Sequence, residues 1–354
     1  MSPNKLSLIR RNLLRWYDKT QRDLPWRRTR DPYAIWIAET MLQQTQVTTV
    51  VPYYERFLKA LPTIEALDRA SLGRVLALWS GLGYYRRAEN LKKSARTLIR
   101  RHGGRIPGTY EALRALPGVG DYTAGALLSI AFGKPYPAID GNARRVLSRI
   151  FALDTDKKMR EIAARLVPAS EPGHFNQGLM ELGARICITR NPRCPECPVA
   201  SHCKSRAAER KSPAKKPQHL RDVTWPLAIV RRHSTILLRR RSANGILAGL
   251  WELPGGEKKP GESFAAHMRH HLQTLQARLT SPKRIGEIRH SIMNRKIRSP
   301  VFLFDQRAPT KIDRPGPDWR WLSPTLLHRY PVSSMTLKAA KVLADYEGQV
   351  PIFL

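Results

Sequence analysis

ALRALPGVGDYTAGALLSIAFG, residues 112–133, decides the fold of the first part of this chain. It reads as a helix, a tight Leu116-Pro117-Gly118-Val119-Gly120 turn and a second helix in succession. Gly118 and Gly120 let the backbone approach a partner closely, and the second helix opens with unpaired N–H groups and a positive dipole end. Such a turn suits a phosphate. Standing alone the segment would be an ordinary helix–helix connection, so its surroundings have to carry the argument.

Those surroundings are basic. Lys and Arg number 62 against 28 Asp and Glu, a formal charge of +34 spread along the whole length. That excess predicts a polyanionic partner, since far less would keep a protein soluble. Nucleic acid is the expected partner, because no basic amphipathic helix with a free apolar face points to a membrane surface. No apolar run approaches a membrane span, and the opening MSPNKLSLIRRNLLRWYDKT lacks the apolar core of a signal peptide. We expect a monomer without membrane contact, cytoplasmic and, in a bacterium, associated with the nucleoid.

Composition also divides the chain. AAERKSPAKKPQHLRDVT, residues 207–224, is polar and rich in Lys and Pro, as a linker should be. Before it the pattern is helical, as in ENLKKSARTLIRR and EIAARLV; after it come strand-like runs, PLAIVRR, STILLRRR and SPVFLF. The expected organisation is a helical domain over 1–206, a linker over 207–224 and a smaller α/β domain over 225–354.

All four cysteines, Cys187, Cys194, Cys197 and Cys203, fall in ARICITRNPRCPECPVASHCKSR, residues 184–206. Disulfides are disfavoured, because nothing else indicates an oxidising compartment and a chain of this length builds cores without staples. The C-x6-C-x2-C-x5-C spacing reads as four thiolates around a metal, and spacing alone accepts either zinc or an iron–sulfur cluster.

The hairpin, Asp140 in YPAIDGNARRV and the four cysteines together resemble the DNA glycosylase superfamily that includes endonuclease III. LPWRRTRDPYAIWIAETMLQQTQV (24–47), WSGLGYYRRAENL (79–91), DGNARRVLSR and FNQGLMELGARIC occur in the order seen in adenine DNA glycosylases of the MutY type, and the resemblance covers nearly all of residues 8–206. It implies an all-α helix–hairpin–helix core, with Gly118 and Gly120 on DNA phosphate. It also implies a [4Fe–4S] cluster on Cys187, Cys194, Cys197 and Cys203 that shapes a DNA-contacting loop containing Arg190 and Arg193. The implied substrate is double-stranded DNA with adenine opposite 8-oxoguanine or guanine.

Cleaving a purine N-glycosidic bond leaves positive charge on the sugar and negative charge on the base, so two carboxylates with different pKa values can divide the work. Glu39 lies in PYAIWIAETMLQQ, apolar nearly all round; a buried helix there would raise its pKa and suit it to deliver a proton. Asp140 precedes the helix ARRVLSRIFAL, whose N–H groups and dipole favour the charged form, as an anion facing an oxocarbenium-like sugar requires. Read as bare sequence, Glu39 could be an ordinary buried carboxylate and Asp140 only a helix cap. By resemblance Glu39 is the acid at adenine N7, Asp140 the carboxylate at the sugar carbon, and Tyr122 a residue near that sugar. Endonuclease III has a lysine where Tyr122 stands, and that amine forms the Schiff base used for strand cleavage. Base removal here should therefore stop at an abasic site.

The adenine must leave the duplex to be reached. The resemblance places Gln43 and Tyr84 as wedges, Gln177 near the adenine, and Arg27 and Trp26 in the pocket. Beyond residue 225, RRRSANGILAGLWELPGGEKKPGES is similar to the Nudix-related second domain of the same glycosylases. Gly256 and Glu262 keep the first spacing of a catalytic Nudix box, but His270-His271 replaces its Arg-Glu and no acidic pair follows, so pyrophosphate hydrolysis is not expected. IRHSIMNRKI supplies Ile292, Met293 and Asn294 where the family reads 8-oxoguanine with a Phe-Ser-His or similar loop. The rival readings are a thymine mismatch glycosylase, which lacks a second domain, and a catalytically silent DNA-binding protein.

Overall fold

The helical region runs through α1 (Pro3–Thr20), α2 (Pro32–Leu42), α3 (Val47–Ala60), α4 (Ile64–Arg69), α5 (Leu72–Leu78), α6 (Arg86–His102), α7 (Tyr110–Arg114), α8 (Asp121–Ala126), α9 (Gly141–Phe151), α10 (Asp156–Leu166) and α11 (Pro172–Arg185). These come from a computed structural model of the protein, which describes residues 3–206, 220–242, 249–272, 279–292, 294–306 and 317–349. None of the described helices is long and apolar enough to cross a membrane.

Local chemistry sets the helices that matter most. Asp31 caps α2 by accepting from the amides of Tyr33 and Ala34 at 3.1 and 3.2 Å, and Pro32 takes the first helical position, where no amide proton is needed. Every residue from Tyr33 to Met41 is buried, so α2 is a central rod and Glu39 sits on it away from water. The turn between α7 and α8 closes with Val119 N donating to Leu116 O at 3.2 Å, and Gly118 has a φ of +79°, which favours glycine. The helix after the turn does not end at Ala126. It widens into a π turn over Leu127–Ala131, an irregularity often found beside functional sites and one that no periodicity in the sequence signals.

A core of Leu6, Ile9 and Leu13 from α1, Val146, Leu147 and Ile150 from α9, and Phe175, Leu179 and Leu182 from α11 joins the two ends of this region. Cys187, Cys197 and Cys203 pack at its margin.

The second region is a mixed sheet of β1 (Arg221–Thr224), β2 (Leu227–Arg232), β3 (Thr235–Arg240), β4 (Trp251–Glu252), β5 (Lys283–Ile292), β6 (Arg295–Asp305) and β7 (Trp319–Leu322), with α12 (Phe264–Leu272) and α13 (Ser334–Tyr346). Its strand order is β1-β6-β2-β3-β4, with β5 also on β6 and β7 also on β3; β1 and β2 run parallel to β6. Strand β2 shows why its first four residues, Leu227 to Val230, are uninterruptedly apolar. Leu227 and Ile229 join a core with Met335, Ala339 and Leu343 of α13, while Ala228 and Val230 join another with Met268 and Leu272 of α12. Both faces of the strand are covered, so alternation disappears.

Packing groups the described residues of 1–70 and 89–214 into one compact unit, and those of 71–88 and 215–354 into a second. Residues 71–88, which the sequence pattern assigns to the helical domain, thus go with the sheet. There the hydroxyls of Ser80 and Tyr85 both donate to Val332 O, at 2.8 and 3.1 Å. Helical periodicity in α5 reports a buried face but not which neighbour buries it. Most of the expected linker lies outside the described residues.

Gly125 is a point of close approach within the first unit: a Cβ there would lie 2.1 Å from Pro137 O. Gly125→Ala should therefore cost about 1–3 kcal/mol by overpacking, read as a lower urea midpoint. Gly141→Ala, whose added Cβ meets nothing within 4 Å, is the control and should stay close to the parent. Equal midpoints for the two variants would mean that the contact is not tight.

Candidate active site

Glu39 is only 4 % exposed, and the Tyr122 hydroxyl of α8 donates to its carboxylate. Burial pushes the Glu39 carboxyl up to about 7; the Tyr122 hydrogen bond opposes this, the Asp140 charge adds to it, and Arg27 subtracts. The sequence expectation of a raised acid on a buried helix agrees with this geometry. Tyr122 is raised well above its ordinary value, first by burial and then by the Glu39 and Asp140 charges, so its proton stays on the phenol. Met180 of α11 approaches the same hydroxyl, with Sδ at 3.8 Å.

Asp140 caps α9 as read from sequence, with Oδ1 accepting from Ala143 N at 2.7 Å and Oδ2 from Asn142 Nδ2 at 3.1 Å. The expected preference for the charged form needs correction. Burial of Asp140 outweighs these hydrogen bonds and leaves its pKa above the ordinary carboxylate value. Capping is visible in a sequence; the degree to which other elements cover the cap is not. With a buried and a half-buried carboxylate within electrostatic reach, the one lacking amide donors, Glu39, is the better proton holder.

The loop leading to Asp140 is fixed from α11. Asn176 accepts from Ala138 N at 3.2 Å and donates to Tyr136 O at 2.8 Å. On the far side of Asp140, Asn142 Oδ1 accepts from Arg145, which also donates to Gly183 O at 2.6 Å and to Cys187 O at 2.7 Å. Arg149 bonds the carbonyls of Ile188 and Thr189 at 2.7 and 3.0 Å. All four cysteines line one cavity of about 410 Å³. Among the described residues no three His, Cys, Asp or Glu side chains are grouped to hold a single metal ion. A shared cavity of that size with thiols on its walls fits a multi-atom cluster better than one zinc ion. Arg190 and Arg193 are exposed on the same loop.

Gln177 is buried and accepts from the Tyr17 hydroxyl at 2.6 Å. Arg27 lies over the Tyr17 ring, 5.2 Å from its centroid, and donates to Glu181 Oε2 at 2.8 Å; Arg22 holds the other oxygen at 2.7 Å. Burial alone would raise Glu181, but these two arginines outweigh it and hold the carboxylate below its ordinary value. Arg27 and Gln177 both border a cavity of about 240 Å³. Trp26 is buried edge-on against Tyr54, with centroids 5.3 Å apart, and acts in packing. Gln43 ends α2 and donates to Thr123 Oγ1 at 3.2 Å, and its neighbour Gln44 has a φ of +59°. Gly120 caps α8 with an extended backbone, and a Cβ there would meet only open space.

In the second unit Tyr84 stands 58 % exposed at a φ of +50°, a conformation costing a non-glycine residue about 1–2 kcal/mol. Asn294 is exposed beside the β5–β6 turn, and its carbonyl accepts from Arg221 N at 2.8 Å. Met293 lies outside the described residues. Ile292, the first residue of the expected reading loop, is half-buried against the sheet core and borders a cavity of about 130 Å³. Glu262 is engaged by His267 at 3.0 Å, and burial, with His267 and Arg239 nearby, pushes His271 down to about 4.

Sequence reading missed Tyr17, Arg22, Glu181, Asn142, Arg145 and Asn176. Glu181 alone left a trace, as a carboxylate on the apolar stripe of FNQGLMELGARIC. Its arginine partners are 159 and 154 residues away, beyond any local pattern.

Residues 37–169 match the HhH-GPD superfamily of base excision DNA repair proteins, and residues 227–341 match the NUDIX domain. A solved thermostable thymine-DNA glycosylase is 35 % identical with a TM-score of 0.55, covering 57 % of this chain and 97 % of that one. Endonuclease III trapped on DNA has a TM-score of 0.52 at 23 % identity over 58 % of this chain and 97 % of its own, a likeness of fold. The adenine DNA glycosylase of Homo sapiens is 35 % identical over 98 % of this chain and 75 % of its own length. The chain belongs to the adenine DNA glycosylase family. The likeness to the human adenine DNA glycosylase spans both units, whereas that to the thymine enzyme covers little more than half of the chain.

The raised Glu39 also makes a stability prediction. The folded carboxyl, at about 7 against an ordinary 4.5, keeps its proton longer than the unfolded one, so stability falls as pH rises through this interval. Glu39→Gln removes that loss and should gain on the parent between pH 5 and pH 8, by on the order of 3 kcal/mol. Parallel unfolding curves across this range would show that Glu39 titrates normally.

Proposed function

We propose that this chain removes adenine mispaired with 8-oxoguanine or guanine from duplex DNA, acting as a monomer. The observation that carries the reading is a buried Glu39, raised to about 7 and hydrogen-bonded by Tyr122, within reach of the Asp140 charge. Glu39 gives its proton to adenine N7, the C1′–N9 electron pair leaves with the base, and the sugar becomes an oxocarbenium ion. Asp140 shields that cation or bonds it transiently, and water then adds at C1′ while the Glu39 carboxylate takes a proton. Gln43 and Tyr84 each serve as a wedge, beside the flipped base or next to its partner, and Gln177 and Arg27 hold the adenine. Because Tyr122 offers a phenol and no amine, the reaction ends at an abasic site without strand cleavage.

Cys187, Cys194, Cys197 and Cys203 would hold a [4Fe–4S] cluster, whose role is to brace the loop bearing Arg190 and Arg193. Purified protein should then be brown with about four iron atoms per chain. Stoichiometric zinc without iron after anaerobic purification would overturn the assignment.

Single-turnover assays on A:8-oxoguanine, A:G and G:T duplexes test the activity itself. Free adenine from the first two is expected, with Glu39→Gln slower by several orders of magnitude yet still binding. Release of thymine only, or of no base, would favour the rivals. Borohydride should trap no adduct. In the second unit, Asn294→Ala should narrow the preference for 8-oxoguanine over guanine by roughly tenfold, the worth of one polar contact to a base edge. An unchanged ratio would place the reading elsewhere.

A further inference from the structure

Gly83 and Tyr84 are consecutive left-handed residues, with φ of +78° and +50°. Such a pair turns the Tyr84 ring out of the preceding turn and into solvent, and a tyrosine does not adopt that backbone by preference. Its neighbours account for it. Gly83 O accepts from the Trp79 indole at 3.1 Å and from the Arg87 guanidinium at 3.1 Å, and Tyr84 O accepts from Arg87 N at 2.9 Å. The Arg87 guanidinium lies 5.4 Å from the Trp79 ring centroid and 5.3 Å from that of Tyr84. Trp79 is fully buried, and Arg87 is buried as well. A continuous stack thus runs from a core tryptophan through a guanidinium to an exposed tyrosine.

We propose that Arg87 is a positioning residue that holds Tyr84 outward as a rigid, pre-formed wedge for the base stack of duplex DNA. The inference rests on the reading of Tyr84 as a wedge given above and adds how the wedge is made. An aromatic side chain that is already fixed loses less freedom when it inserts between bases, so more of its stacking energy goes into opening the duplex. The guanidinium suits the task because it offers a flat face to each ring and a donor to the Gly83 carbonyl at the same time. Burying the cation has a cost, seen in an Arg87 pKa pushed down to about 10 by desolvation.

The test places 2-aminopurine beside the mispaired adenine and follows its fluorescence rise in stopped flow, with single-turnover excision alongside. Arg87→Met should slow the rise about tenfold, with Arg87→Lys intermediate. Added to Tyr84→Ala, Arg87→Met should cause no further loss, since it acts through that ring. On an adenine inside an unpaired bubble, where no stack has to be opened, Arg87→Met should excise within about twofold of the parent. Additive losses in the double variant, or an equal loss on the bubble, would overturn the proposal as a general folding defect. A normal rise in Arg87→Met with a slowed one in Tyr84→Ala would sink this inference alone; a normal rise in Tyr84→Ala would sink the wedge reading and this inference with it. Should Arg87→Met fail to fold, Arg87→Lys carries the same comparisons.

Discussion

The hydrogen bond from Tyr122 to a carboxyl buried on α2 is the constraint on which the rest of the first unit depends. A glutamic acid removed from water on a helix buried from Tyr33 to Met41 is unfavourable for folding once it ionises. That cost is tolerated where the same burial raises the acid toward neutrality and makes its proton available. Tyr122 opposes the rise yet fixes the carboxyl in one orientation, and Asp140 supplies a second charge that keeps the proton on Glu39. The capped helix α9, the α7–α8 turn and the close contact at Gly125 then bring the two carboxylates to one place.

What surrounds the pair is mostly backbone held by side-chain amides and guanidinium groups. Asn176 clasps the loop before Asp140 at two points, and Asn142 and Arg145 join Asp140 to the carbonyls of Gly183 and Cys187. The cysteine loop is thereby tied to the helix that Asp140 caps. The cavity lined by the thiols thus has a structural reason to lie where it does.

Much of this was legible in the sequence wherever the signal was local. The apolar girdle around Glu39 announced a buried acid, Asp140 before Gly-Asn announced a cap, and the apolar run of β2 announced a strand. What escaped were quantities set by distant neighbours. Tyr122 meets Glu39 across 83 residues, and the Arg22–Glu181–Arg27 cluster closes over still longer separations. The balance that raises Asp140, the π turn after Ala126, the packing of residues 71–88 with the sheet and the half-burial of Ile292 are of the same kind. Each depends on which surface arrives from elsewhere, and no periodicity encodes that.

The central claim, that burial holds a proton on Glu39 near neutral pH, is tested most directly by a titration of its carboxyl carbon. Protein with 13C-labelled glutamate, compared with Glu39→Gln to assign the resonance, should show Glu39 titrating at about 7, well above the exposed glutamates. Its midpoint should match the pH at which single-turnover excision declines. A Glu39 resonance that titrates with the exposed carboxylates near their ordinary value would contradict the account, whatever the excision rates.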